Sequence, residues 1–202
     1  MATTIATIRA RIRKDLKDPD SDRWSDDDLD RHIEHAVQDL NLAAPLQAKD
    51  ETLVFPTPAS REVDISGVTG LIHVKAVEYP VGEFPKRYRH FNVFSEVLEV
   101  QVPIIPTASD PLYLYYDKVH TVDDSGSTLP VELEDICAIG AEGYAAVEWA
   151  AYSVNKVNIG GKLTPTEFMA WGKDRLARFR EELNRLRRRK TRWGRFYTDD
   201  TT

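Results

Sequence analysis

Apolar residues recur at helical spacing at both ends of the chain and lose that rhythm in the middle. Ile5, Ile8, Ile12 and Leu16 fall on one helical face, with Thr3 or Thr4 as the cap. Pro19 limits this first helix, because proline pushes the residue before it away from helical geometry. After a loop over 18–23, Trp24-Ser25-Asp26-Asp27-Asp28-Leu29 reads as the start of a second helix. Ser25 can cap, Asp28 holds the capping-box position, and Trp24 can staple onto Leu29. Leu29, Ile33, Ala36, Val37 and Leu40 continue as a buried stripe, and Pro45 ends it.

Between Thr52 and Val119 the chain turns to Val, Ile, Tyr, Phe and Pro. Short strands are predicted at Leu53–Phe55, Glu62–Ile65, Leu71–Tyr79, Tyr88–Val93, Val97–Val102 and Leu112–Tyr116. Proline and glycine separate them, which suits a small antiparallel sheet, sandwich or barrel.

Helical spacing returns after the Asp123–Ser127 loop. Leu133, Ile136, Cys137, Gly140, Tyr144, Val147, Ala151 and Val154 form a stripe over Val131 to about Asn155. The small residues around Gly140, Gly143 and Ala146 would let a second helix come close. Asn158–Lys162 is a connection. Thr164-Pro165-Thr166-Glu167 then opens the last helix with a capping box, and Leu163 and Phe168 take the staple positions. Phe168, Trp171, Leu176, Phe179, Leu183 and Leu186 make its stripe. The expected fold is therefore α+β: a helical bundle formed by N- and C-terminal helices, with an inserted small antiparallel β module. The predicted divisions are 1–50 for the first helices, 51–120 for the β domain, 121–186 for the last helices and 187–202 for an extended basic tail.

Charge changes this picture most at the C-terminus. Lys173 to Arg195 holds 11 Lys/Arg against 3 Asp/Glu, a net +8, while the whole chain is −6, so the remainder sums to −14. Composition is otherwise ordinary for a globular protein, at 42% hydrophobic and 30% charged. The single Cys137 excludes an internal disulfide framework. No apolar run reaches membrane-spanning length. The basic N-terminus lacks the long apolar core of a secretory signal, and the acidic run after it argues against a transit peptide. Synthesis in the cytoplasm is the expectation.

Candidate chemistry is sparse. Asp18, Asp20, Asp22 and Asp26 match positions of a calcium loop, but Arg23 replaces its glycine and Leu29 its last carboxylate, so a solvated loop and helix start are expected. His32 and His35 share a helix face without a further ligand cluster, and read as surface histidines. Cys137 reads as a packed core thiol. Glu132, Glu134, Asp135, Glu142 and Glu148 read as a charged helix face rather than an acid/base pair. Phosphate-loop, dinucleotide, zinc-protease and nucleophile-elbow motifs are missing from the sequence. No catalysis, metal or cofactor is expected.

The basic end, Arg185, Arg187, Arg188, Arg189, Lys190, Arg192, Trp193, Arg195, Phe196 and Tyr197, admits three readings. It can be a solvated helix end suited to the dipole. It can bind nucleic acid, with arginines on phosphates and aromatics on bases. It can enter an acidic or aromatic groove on a protein, where Arg and Trp are favoured anchors. The acidic body would repel DNA away from the tail, which favours the protein partner.

The stretch R-W-S-D-D-D-L-D-R-H-I-E-H-A-V-Q-D-L-N-L-A-A-P resembles the second helix of tailed-bacteriophage head-to-tail connector (adaptor) proteins. L-P-V-E-L-E-D-I-C-A-I-G-A-E-G-Y-A-A-V-E-W-A-A-Y is similar to the next helix of that family, and the last long helix with a charged end also matches. The β insertion resembles the gatekeeper-type variant of short-tailed phages. The resemblance implies a structural virion protein, made in the host cytoplasm, that forms a dodecameric ring in the neck. Its implied partners are the portal protein, tail or neck proteins and further copies of itself. DNA passes through the channel without sequence-specific binding, and no membrane is involved. The basic end is then expected to dock on the portal. An acidic face of Asp26, Asp27, Asp28, Asp30 and Glu34 is expected to meet a neighbouring subunit. The rival expectation is a nucleic-acid-binding accessory protein using the same basic helix and tail.

Overall fold

The computed structural model describes residues 3–153 and 164–189. Among them the chain is α+β, with four helices and two small antiparallel sheets. It divides into two compact units, one holding the described parts of 3–44 and 120–189, the other 45–119.

In the first unit, α1 (Ile5–Leu16) turns its four predicted apolar residues inward and ends on Lys17 in the left-handed region. The helix α2 (Asp26–Ala43) starts with the complete capping box of Ser25 and Asp28. Trp24 just before it is buried, and its indole N–H donates to the Ala145 carbonyl at 3.3 Å. The remaining helices are α3 (Val131–Ser153) and α4 (Pro165–Arg189), and these two share the largest helix contact. The predicted Thr164–Glu167 box is formed: Glu167 Oε2 accepts from the Thr164 amide, and Thr164 Oγ1 accepts from the Glu167 amide. Leu163, its staple residue, lies outside the described residues, as do Val154 and the 158–162 connection.

Small residues set the α3–α4 distance. A Cβ on Gly140 would stand 2.9 Å from the Phe179 ring, and one on Gly143 would stand 2.8 Å from Leu176. On the facing helix, Gly172 leaves room for Val147 and Ala146 in the same way. The buried face of α3 is broader than its predicted stripe. It includes Ala138, Ala141, Ala145 and Ala146, whereas Ala151 is exposed. Alanine rows gave little periodic contrast in the sequence, yet they pack α3 against three helices.

The chain leaves this unit after Ala44 and returns at His120, where one imidazole closes the gap. His120 Nε2 lies 3.1 Å from the Ala44 carbonyl oxygen and Nδ1 lies 3.1 Å from that of Thr128. The His120 amide donates to Asn41 Oδ1 at 2.7 Å.

The second unit contains seven strands. These are β1 (Leu46–Asp50), β2 (Glu62–Asp64), β3 (Leu71–Glu78), β4 (Tyr88–Arg89), β5 (Phe91–Phe94), β6 (Val97–Val100) and β7 (Tyr113–Lys118). The first sheet has the order β1-β7-β3-β4 and the second β2-β6-β5. Both feed one core, including Phe55, Val77, Leu98, Val100, Leu112 and Leu114.

Three strand expectations need correction. Leu46–Asp50 was not predicted, since Gln, Ala, Lys and Asp carry little strand preference; pairing with β7 supplies it. Leu53–Phe55 is not a strand: Val54 makes one isolated bridge to Pro111, and the Phe55 backbone bonds a turn at Ser109 and Asp110. The run Tyr88–Val93 breaks at His90 and serves both sheets.

Candidate interaction surfaces

The acidic surface singled out in the sequence, and the described part of the basic one up to Arg189, lie in the helical unit. On α2, Asp30 receives Arg9 from α1 through both oxygens, Nε to Oδ1 at 2.8 Å and Nη2 to Oδ2 at 2.7 Å. Asp26 receives Arg9 at 2.8 Å and Arg13 at 2.7 Å. The Arg13 hydrogen bond, more than any other influence, holds the Asp26 carboxyl below its ordinary range. Asp28 serves the capping box, and the Ser25 hydroxyl is the main reason its carboxyl also lies low. Asp26, Asp28 and Asp30 therefore have partners inside the unit, while Asp27 and Glu34 are exposed on its surface. Sequence spacing showed three carboxylates at a helix start, but it gave no sign of arginines arriving from α1.

At the other end, α4 stays helical past Leu186, so Arg187, Arg188 and Arg189 belong to its last turn rather than to an extended tail. Arg185, Arg187 and Arg188 are exposed, and Arg185 Nη1 stands 3.3 Å from Glu182 in its own helix. Gly140 faces Phe179 and Gly172 faces Val147, so α3 and α4 run antiparallel. Continued along both helices, that register brings the last turn of α4 level with the start of α3. Lys190, Arg192, Trp193, Arg195, Phe196 and Tyr197 lie outside the described residues.

Three acidic or imidazole groups differ from expectation. Asp18 is buried rather than solvated; it accepts the amides of Asp22, Arg23 and Trp24 and stands 3.3 Å from Arg13. It organises the loop from within the protein. His32 is 4% exposed, not a surface histidine. Its Nε2 lies 3.4 Å from Glu148 Oε2, while the other oxygen of Glu148 holds Arg31 at 2.7 Å. Burial, more than the neighbouring charges, lowers the His32 imidazole below its usual value. Together with His35, Tyr144 and others, these residues line a cleft of about 550 Å³. His35 stacks on Tyr144 at 4.1 Å between ring centroids.

Glu142 is the third. Its place in the sequence suits a charged helix face, but it is 1% exposed, and Glu134 is buried as well. Burial pushes its carboxyl up to about 8, a hydrogen bond with Asp15 adds to the rise, and Arg175 at 3.3 Å only partly opposes it. Cys137 is wholly buried, and burial followed by Glu134 pushes its thiol up to about 12. That leaves little thiolate for nucleophilic chemistry near neutral pH. Among the described residues, no three His, Cys, Asp or Glu side chains are grouped to hold a metal ion, and no helix is long and apolar enough to cross a membrane.

The β unit exposes several large apolar side chains. Phe84, Phe94 and Ile104 are 99%, 85% and 81% exposed. Its buried carboxylate, Glu78, is spent internally on the Tyr115 hydroxyl at 2.6 Å and Lys86 at 3.1 Å.

No protein-family model matches the chain, and no curated protein matches it.

Proposed function

We propose that this protein is a structural adaptor in the neck of a tailed phage. Copies form a ring, dodecameric as in the family it resembles, that sits under the portal, joins the DNA-filled head to the tail and surrounds the DNA channel. The helices are read as one bundle carrying the β module as an insertion. The protein performs no catalysis and holds no cofactor.

The observation that carries this reading is the mismatch along the end of α4. Its apolar stripe is used up inside the unit by Leu183 and Leu186, while positive charge continues through the exposed Arg187 and the sequence beyond. A strongly basic end on an acidic chain is supplied for a neighbour, and we assign that neighbour as the portal. Unlike surfaces on one subunit also favour rings, since head-to-tail contacts close by rotation. Asp27 and Glu34 on α2, and Arg178 and Arg187 on α4, are exposed and of opposite sign.

Truncation after Arg189 tests the reading. The shortened protein should fold, and portal-bearing filled heads should fail to acquire tails with it. Heads that gain tails normally would overturn portal docking by this segment. The second reading, a nucleic-acid-binding accessory protein, is favoured by Trp193, Phe196 and Tyr197 interleaved with arginine. Tight DNA retention on filters with a steep salt dependence would decide for it.

A further inference from the structure

Strand register puts an acidic row and an apolar row side by side on the outer face of the sheet β2-β6-β5. Side chains alternate across a strand, and Val63, Leu98 and Val100 turn inward to the core. Glu62, Glu99 and Asn92 therefore share the outer face as one row, and Asp64, Val97 and Phe94 as the next. All six are exposed, and Phe94 and Val97 are paired across the hairpin. Glu62 and Glu99 stand directly opposite each other, an arrangement of like charges that destabilises a sheet. The described partners of this face are neutral: Asp64 accepts the Ser66 amide at 2.8 Å, and Glu99 accepts the Asn92 side-chain amide at 3.1 Å. The described ion pairs of the β unit use Glu51, Glu78, Glu83 and Asp117 instead. Arg61, beside Glu62, gives its guanidinium to the Val102 and Pro103 carbonyls.

The chain holds a segment of matching charge and spacing. Residues 190–197 contain Lys190, Arg192 and Arg195 and no carboxylate. Trp193, Arg195 and Tyr197 alternate with other residues, so in an extended chain they lie on one side, about 6.8 Å from one to the next. The acidic and apolar rows are also two residues apart along each strand, the same distance of about 6.8 Å. A guanidinium can accept two carboxylates as partners, and an aromatic ring covers exposed apolar side chains. A segment tethered to the same chain meets the face at an effective concentration on the order of millimolar, well above that of a second copy in dilute solution.

We propose that the outer face of the β2-β6-β5 sheet is the seat of the chain's own basic C-terminal segment. Arg195 lies between Glu62 and Glu99, and an aromatic residue two positions away, Trp193 or Tyr197, covers Phe94 and Val97. Either direction of the segment satisfies both rows, because aromatics stand on both sides of Arg195. The contact involves this chain alone and stands whether or not the portal reading does. Portal docking by the same segment then requires its release from the sheet.

A nitroxide on Thr198→Cys in the full-length, 15N-labelled protein is the probe; Cys137 is wholly buried, so the label goes to the new cysteine. The amide signals of Phe94, Val97 and Glu99 should be lost through paramagnetic broadening, and raised salt should bring part of them back. Glu62→Lys with Glu99→Lys should restore the signals at low salt. Both changes lie on an exposed face and leave the core untouched. Adding Arg195→Glu to that pair should renew the loss, which a merely structural effect of the lysines would not do. Signals that persist in the parent protein, or a loss indifferent to the charge reversal, overturn the proposal. So does a loss seen only when nitroxide-labelled 14N chains are mixed with unlabelled 15N chains, which would give the face to a second copy.

Discussion

Arg9 holds Asp30 through two parallel hydrogen bonds, and the same guanidinium reaches Asp26 at 2.8 Å. Two of the five carboxylates expected to face a neighbour are thereby tied to α1 of their own chain. Arg9→Ala should lower unfolding free energy by about 1.5–3 kcal/mol, the range for hydrogen bonds to charged groups, because the pair is partly shielded from water. Asp27→Ala and Glu34→Ala should stay within about 0.5 kcal/mol of the parent, as exposed substitutions do. Urea melts of the three variants check the contrast. Equal losses in all three would mean that Asp27 and Glu34 are structural too.

Glu142 makes the helical unit less stable as pH rises. Its folded carboxyl is pushed up to about 8, against an ordinary value of 4.5, so between those values the folded state binds more protons than the unfolded one. Stability from this group is complete below about 4.5 and is lost as pH climbs towards 8, at up to about 1.4 kcal/mol per pH unit. Glu142→Gln should flatten that slope and raise the melting temperature at pH 8. A variant with the parent slope would show that Glu142 stays ionised when folded.

His32 works in the opposite direction. Its folded imidazole titrates below the ordinary 6.5, so the unfolded chain takes up protons first as pH falls. The stability it supplies is present above about pH 6.5 and declines as pH drops below that value. His32→Gln should remove the decline attributable to this group, and NMR titration of the ring should give a midpoint below that of a histidine in a short peptide. A midpoint above it would mean that Glu148 outweighs burial.

Gly172 holds α3 and α4 together by what it lacks. A Cβ there would stand 2.9 Å from Val147 Cγ2 and 3.1 Å from the Val147 backbone nitrogen. Alanine would gain about 1 kcal/mol of helix propensity, but overpacking costs about 1–3 kcal/mol, and a backbone atom cannot rotate aside. Thermal melts of Gly172→Ala should show a net loss of stability. A gain would mean that the two helices separate easily.

His120→Ala should loosen the point where the chain returns to the helical unit. A neutral imidazole has one N–H, so the substitution strips one of the Ala44 and Thr128 carbonyls of its donor, at a cost of about 1–3 kcal/mol for a buried group left unsatisfied. Faster amide exchange is expected at His120 and around Asn41, while exchange in the middle of α3 stays at the parent rate. Unchanged exchange at His120 would mean that Asn41 alone holds the junction.

Local signals in the sequence determined the helices. Caps at Ser25 and Thr164, prolines at 19 and 45, and apolar residues at helical spacing act within a few residues, so the chain alone could specify where α1, α2 and α4 begin and which faces they bury. The excess of positive charge past Leu186 was equally legible, because net charge needs no fold. Tertiary structure decided which charged groups were left over. Asp26 and Asp30 were spent on arginines from α1, Asp18 on backbone amides, and Glu142 and His32 on burial between helices. It also decided the strand β1, whose residues become a strand only beside β7. Such partners lie many residues away along the chain, and a side chain's charge, burial and titration depend on what folding brings next to it.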